Sequence, residues 1–281
     1  MITAIHLLVT YRCTRSCSHC FVWGSPAARG VLKDDQARDY LQACRGLGLT
    51  GVSFEGGEPM LYPDLVAGWI EHATELGLEA GLVSNGFWAL DRDRADQVLT
   101  ELKKLGLSSL MVSCDDYHGG AAEHHRALAA VAAAEPLGLA TILAVTDREQ
   151  VMYRGRAAEL LAPDAAQRPA TELTCCPHED LAAPARVHLD YEGNIHLCQG
   201  LTMGQAADGR SLVRILEAYD PESHPIVSPL LEGGPLALAD AYALRTASHY
   251  ADACHLCYES RRRLRDRFPE YLGPDHVYGV N

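Results

Sequence analysis

The sequence predicts an α/β protein in which repeated strand and helix units build a parallel sheet, followed by a smaller C-terminal domain. Three observations predict it. Short apolar or β-branched runs alternate with amphipathic, Ala/Leu-rich segments over the first 150 residues. The helical segments end at stops marked by Gly46, Gly77, Gly106 and Gly138. After about Arg168 this rhythm gives way to a Pro-punctuated, Cys-containing stretch, which sets the boundary between residues 1–168 and 169–281.

Taken in order, strands are predicted near Ile5–Val9, Val52–Glu55, Glu79–Ser84, Leu110–Cys114 and Thr141–Val145. Helices alternate with them near Asp34–Leu47, Asp64–Leu76, Asp91–Leu105 and Ala121–Leu137. The second half opens on a hairpin signal in ARVHLDYEGNIHLC with Glu192-Gly193-Asn194 at the turn. Helices follow around Ser211–Tyr219 and Leu236–Ala247, then a loop ACHLC and an Arg-rich helix from near Glu259.

Composition narrows the function. A formal net charge of −13 repels phosphate backbones and anionic membranes, so neither nucleic acid nor membrane is an expected partner. No apolar run approaches the roughly 20 residues that span a bilayer, and the opening MITAIHLLVTYRC lacks the marks of a secretory signal, so a cytoplasmic location is expected. The ten cysteines then read as metal ligands rather than disulfides, because most fall into two clusters.

Cys13, Cys17 and Cys20 place three thiols in a loop directly after the first strand. An electron-transferring [4Fe–4S] cluster takes four thiolates, so three leave one iron with an open position, as catalytic zinc sites do. The x3/x2 spacing departs from usual zinc patterns. After the second strand, Gly56-Gly57-Glu58-Pro59 offers paired glycines for close backbone approach and a proline to stiffen the exit. Ser84-Asn85-Gly86 and Ser113-Cys114-Asp115-Asp116-Tyr117-His118 follow the third and fourth strands, at the end of a parallel sheet where active sites form.

Cys-x3-Cys-x2-Cys, with Phe21 after the third cysteine, closely resembles the signature of the radical S-adenosylmethionine (SAM) superfamily, and GGEP resembles its second motif. The resemblance implies a partial (β/α)6 TIM-like barrel whose open iron chelates the SAM amino and carboxylate groups. Reductive cleavage would give methionine and a 5′-deoxyadenosyl radical that abstracts a substrate hydrogen. It further implies that Gly56–Glu58 with Pro59 receives the SAM amino group, that Phe21 and Asn85 contact SAM, that Ser113 and Asp115 hold the ribose, and that Arg126 binds the SAM carboxylate. An electron donor such as flavodoxin or ferredoxin is an implied partner. Asp116 and His118 are candidates for substrate binding or proton movement, and the Gly155-Arg156-Ala157 stretch is expected to bring Arg154 or Arg156 to the cavity.

Downstream, one of Cys175 and Cys176 (Cys176, ahead of Pro177, is favoured), with Cys198, Cys254 and Cys257, offers four thiols for a second, auxiliary [4Fe–4S] cluster; a structural zinc is the alternative. This layout is similar to the twitch-domain radical SAM enzymes that include the 2-deoxy-scyllo-inosamine dehydrogenases. Arg261, Arg262, Arg263, Arg265 and Arg267 form a local basic stretch, read first as a solvated helix face. The expected reaction is oxidation or rearrangement of a small molecule. A peptide-modifying maturase is the alternative, disfavoured by a first strand beginning near Ile2, and a non-catalytic iron–sulfur electron carrier is a third reading.

Overall fold

A computed structural model of the chain describes residues 2–280 other than Arg148, with side chains for all of these but Ala121 and Ala122. The N-terminal part runs β1 (Ala4–Thr10), α1 (Asp34–Gly46), β2 (Gly51–Gly56), α2 (Pro63–Glu75), β3 (Glu79–Ser84), α3 (Arg92–Lys104), β4 (Leu107–Ser113), α4 (Ala121–Ala134) and β5 (Ala140–Ala144). The five strands pair in parallel, each with the next. The fold is the expected α/β barrel segment with a parallel sheet.

Alternation along each strand separates two environments. Val52 and Phe54 of β2 turn outward into the apolar layer beneath the helices, where Phe54 stacks on Trp69 of α2 at 6.1 Å. The Trp69 indole donates to Asp34 at the start of α1 (2.8 Å), which joins the first two helices. Leu8, Glu55, Val83, Met111 and Ala144 instead line one cavity on the inner face. Asp91 caps α3 by accepting from the Arg94 N–H at 2.8 Å.

After a five-residue helix α5 (Arg156–Leu160) and a two-residue strand β6 (Arg168–Pro169), the hairpin forms from β7 (Arg186–Asp190) and β8 (Asn194–Cys198), followed by β9 (Leu201–Gln205). A sixth parallel strand is present, but it is β7, which pairs with β1 at the edge opposite β5. The sheet order is therefore β5-β4-β3-β2-β1-β7-β8-β9, with β8 and β9 antiparallel. The hairpin thus continues the barrel sheet.

Two C-terminal elements depart from the expected boundaries. α6 (Gly209–Glu217) is followed by α7 (Val227–Ala241), which starts nine residues before the expected Leu236 and breaks at Gly233 and Gly234, with Pro235 opening its second segment. It stops at Ala241 rather than Ala247. Beyond β10 (His249–Tyr250), which pairs with β6, the ACHLC segment is not a loop: it forms the first turns of α8 (Ala253–Leu264). Asp252 caps this helix through the His255 N–H at 2.7 Å, a start signal hidden among the cysteines.

Candidate functional site

The loop after β1 is held by backbone pairing at its neck, where Cys13 N–H donates to Ser25 O (3.0 Å) and Ser25 N–H to Tyr11 O (3.3 Å). Cys13, Cys17 and Cys20 all line a cavity of about 280 Å³ at the C-terminal ends of the parallel strands. Two of the sulfurs accept hydrogen bonds, Cys13 Sγ from Asn85 Nδ2 (3.5 Å) and Cys20 Sγ from Gly24 N–H (3.2 Å). Burial pushes the Cys17 thiol up to about 12 and raises Cys13 as well. Such thiols stay protonated near neutral pH unless a cation takes the proton's place.

The paired glycines serve the chain's own backbone. Gly57 N–H donates to Thr10 O (2.6 Å) and Glu58 N–H to Arg12 O (2.9 Å), and a Cβ at Gly57 would stand 2.2 Å from Arg12 O. Only glycine lets the end of β2 seat against the root of the cysteine loop. Gly56 and Gly57 also line the cavity, whereas Glu58 and Pro59 turn away from it and are buried. The Glu58 carboxyl accepts from Met60 N–H (3.0 Å), Ser84 Oγ (2.8 Å) and Asn85 N–H (2.8 Å), tying the ends of β2 and β3 together. Burial pushes it up to about 7 against those three donors.

Of the other expected residues, Phe21, Asn85, Ser113, Asp115 and His118 line the cavity. Asp115, however, is committed to its own turn: Oδ1 accepts from Tyr117 N–H, His118 N–H and His118 Nδ1 (2.8 Å), and Oδ2 from Thr146 N–H (3.3 Å). It orients His118 rather than presenting a free carboxylate. Asp116 points to solvent with 91% of its side chain exposed, and it does not line the cavity. Arg126 is also outside the lining, because Glu123 pairs with it at 3.0 Å. The same carboxylate holds Arg15 at 2.8 Å, and Arg15 reaches the cavity.

Arg156 is a clamp on the loop. It donates to Cys17 O (2.6 Å) and Gly24 O (2.9 Å) and lies 5.2 Å from the Trp23 ring, while its own N–H binds Cys20 O (2.9 Å). Gly155 makes this possible, since a Cβ there would come 2.5 Å from the Phe21 Cα. Arg156 therefore positions the three cysteines instead of facing the cavity, which falls to Arg154.

The remaining cysteines meet at a second cavity of about 30 Å³ lined by Cys176, Cys198, Cys254 and Cys257; Cys175 is exposed and lies outside the lining. Arg154 and Arg261 are buried against this cavity. Arg154 donates to Cys198 Sγ at 2.7 Å, and Arg261 donates to Gln199 O at 3.0 Å. Two buried guanidiniums facing four thiols form a site that calls for negative charge. Burial raises the Cys257 thiol to about 11 although Arg261 opposes it.

The basic stretch is a solvated face in part: Arg261 is buried, Arg262 and Arg265 are half-buried, and Arg263 and Arg267 are exposed. Arg262 pairs with Glu159, Arg265 with Asp275, Arg263 donates to Arg245 O, and Arg267 lies over the Tyr242 ring.

Sequence reading passed over several polar residues in the cavity lining and on the strands beneath it. His19, inside the cysteine loop, stacks near Tyr117 and meets His118 edge-on at 4.8 Å, and burial pushes its imidazole down to about 4. Glu55 precedes the paired glycines, and its alternation with Phe54 was the available sign that it faces inward. His6 and His188 are polar residues within buried parallel strands, where apolar residues are the rule.

Comparison with known proteins adds three findings. Residues 7–135 match the Radical SAM superfamily. Among curated proteins, the chain is 27% identical over 108 residues to the putative peptide biosynthesis protein YydG of Bacillus subtilis (strain 168), covering 38% of this chain and 34% of that one. It is 30% identical over 125 residues to the PqqA peptide cyclase of Xanthomonas campestris pv. campestris (strain B100), covering 43% and 31%. The aligned part is thus about a third of these relatives' length. The solved structure of BtrN in complex with AdoMet and 2-DOIA has the same fold, with a TM-score of 0.50 at 18% identity over 77% of this chain and 87% of that one. Among the described residues, no helix is long and apolar enough to cross a membrane.

Proposed function

The chain carries a radical SAM superfamily domain over residues 7–135, and from that premise we propose an enzyme that reductively cleaves SAM and abstracts a hydrogen atom from a substrate, oxidising or rearranging it. The observation that carries this reading is the count of thiols at the barrel mouth. Among the described residues, Cys13, Cys17 and Cys20 are the cysteines that line the cavity at the strand ends, which leaves one iron of a [4Fe–4S] cluster open. When bound there, the cluster and SAM supply the electron and the C–S bond whose cleavage yields the 5′-deoxyadenosyl radical.

The chain's own residues hold and shield this site. Arg156 fixes the loop through Cys17 O and Gly24 O, and the Asn85 amide and Gly24 N–H bond the sulfurs of Cys13 and Cys20. Arg15 offers a cation at the rim for a carboxylate. His118, oriented by Asp115, and the neutral His19 are the proton-handling groups that face the cavity.

We assign the second cavity to an auxiliary [4Fe–4S] cluster on Cys176, Cys198, Cys254 and Cys257, within a twitch-type unit spanning residues 169–281. The buried Arg154 and Arg261 fit its negative charge. Spacing favours a cluster over zinc. Zn–S bonds of about 2.3 Å draw four sulfurs to within about 4 Å of one another, whereas the side-chain groups that converge within 4.8 Å among the described residues are two, and neither contains a cysteine. Arg154 lines both cavities, which supports a substrate position between the two proposed centres. We place the enzyme in a reducing, cytoplasmic setting with a flavodoxin or ferredoxin as donor, where cysteines outside disulfides stay available as cluster ligands.

A small-molecule alcohol is the first substrate class. A peptide is the second, favoured by the names of the curated relatives and by β5, an edge strand with Ile142, Leu143 and Val145 exposed whose neighbours Ala144 and Thr146 line the cavity. The test is iron and sulfide content with 5′-deoxyadenosine production on anaerobically reconstituted protein given dithionite and SAM. About eight irons with cleavage are expected for two [4Fe–4S] clusters. About four irons with cleavage would remove the auxiliary cluster, and absence of cleavage would remove the central reading.

A further inference from the structure

Below the cysteine loop, three side chains from neighbouring strands converge on the inner face of the sheet. His6 of β1 stands directly opposite His188 of β7, and Glu55 of β2 is paired with Leu8, two residues further along β1 on the same face. His6 Nδ1 lies 3.1 Å from Glu55 Oε2, and His188 Nε2 lies 3.2 Å from Glu55 Oε1, so each carboxylate oxygen faces one imidazole. The two rings meet edge-on at 5.0 Å. The three ligand atoms all fall within 4.8 Å of one another.

We propose that His6, Glu55 and His188 form a binding site for a divalent first-row transition-metal ion, separate from both cysteine centres. Two imidazoles and one carboxylate are a donor set that binds such ions facially and leaves positions open. Metal–nitrogen and metal–oxygen bonds of about 2.0–2.1 Å put neighbouring donor atoms about 3.0–3.4 Å apart, the range of the two His–Glu separations. The donors sit on three paired strands, which fixes their relative positions before any ion arrives. His188 is 6% exposed and turns its Nε2 to Glu55, while its Nδ1 is buried without a hydrogen-bond partner.

Of the three donors, Glu55 is the one that reaches the reaction space. Glu55 lines the cavity at the strand ends together with Leu8 and Arg154, while His6 and His188 do not. An ion held here would present its free coordination positions to a substrate oxygen, of a hydroxyl or a carboxylate, entering that cavity. The inference stands on the three strands alone and holds whether or not a second cluster is present.

The test is Co²⁺ titration of the anaerobically reconstituted protein, with its cysteines occupied, followed by visible absorption and competition with Zn²⁺. The expected result is one equivalent of Co²⁺ with d–d bands and no thiolate charge-transfer band, displaced by Zn²⁺. Affinity should fall at least about 100-fold in His188→Gln and in His6→Gln. His6 has the most exposed side chain of the three, at 21%, so its variant is the one expected to fold if His188→Gln does not. No stoichiometric Co²⁺ binding by the reconstituted protein, or binding unchanged in His6→Gln, would overturn the assignment and leave the three residues as a hydrogen-bonded ion pair.

Discussion

The Arg154 guanidinium donates to Cys198 Sγ at 2.7 Å while its Cζ sits 5.1 Å from the centre of the Phe21 ring, one residue beyond Cys20. One buried side chain therefore bonds a C-terminal cysteine and lies beside the residue that follows the N-terminal ones. Its place is set from two sides, because the preceding Tyr153 N–H donates to Asp252, the residue that caps the helix carrying Cys254 and Cys257.

A cation against a thiolate-held cluster favours the reduced, more negative state. Arg154→Met keeps the volume and removes the charge, so the reduction potential of the proposed C-terminal cluster should fall by roughly 60–120 mV, the equivalent of about 1.4–3 kcal/mol for one electron. An EPR-monitored redox titration reads this directly. A potential that does not move would place the cluster's charge elsewhere.

The two groups of cysteines should separate in their effects. Cys17→Ala is expected to abolish 5′-deoxyadenosine formation, while Cys257→Ala should lose about half of the bound iron and keep the cleavage. Retained cleavage in Cys17→Ala would contradict the three-thiol assignment.

Arg156 satisfies two carbonyls of the cysteine loop at once. Lysine carries the charge but not the planar fork, so Arg156→Lys should leave one carbonyl unpaired and destabilise the fold by about 2 kcal/mol. Denaturant unfolding measures that loss. Iron retained by the N-terminal site after gel filtration should fall in parallel, and unchanged values for both would remove the clamp role.

Gly57→Ala should act on the fold before it acts on any ligand. The added methyl collides with the Arg12 carbonyl at 2.2 Å, where backbone must shift, and a cost of about 2–4 kcal/mol is expected. Thermal unfolding of the apoprotein checks this without reference to SAM.

Asp190 predicts an acid-side dependence. It is fully buried and accepts from Tyr11 Oη (2.8 Å) and Asn194 Nδ2 (2.9 Å), with His196 Nε2 at 3.1 Å, so it links the root of the cysteine loop to the hairpin. Burial alone would raise the carboxyl, but His196, Asn194 and Tyr11 outweigh it and hold it below the usual range. A folded pKa below the unfolded value of about 3.9 gives stability that is present above about pH 4 and lost as pH falls through the folded pKa. Asp190→Asn should cost about 2 kcal/mol at pH 7 and flatten this acid limb in a stability-versus-pH series. An unchanged acid limb would show that other carboxylates carry it.

The strand and helix order of the first 140 residues was legible because both periods are written into consecutive residues. Phe54 and Trp69 go to the apolar layer, and Leu8 and Val83 go to the other face. The cysteine spacing was legible for the same reason, since three ligands of one loop must lie close in sequence. What stayed hidden depended on contacts far along the chain. Of Arg154 and Arg156, the two candidates for the cavity, Arg154 lines it, whereas the partners that hold Arg156, Cys17 and Gly24, lie more than 130 positions away. Arg126 was read as a ligand for a carboxylate, and Glu123, one turn earlier on the same helix, already held it.

The sequence by itself determined the local chemistry: a βα rhythm, a three-thiol loop, a glycine pair and a reserve of further thiols. Only the tertiary structure decided which of these meet. Pairing β7 with β1 brings His188 beside His6, although 182 positions separate them. Folding Cys176, Cys198, Cys254 and Cys257 around Arg154 and Arg261 leaves Cys175 outside. Periodicity and spacing act between near neighbours, whereas strand pairing across the sheet edge and the burial of charge depend on the whole chain having closed.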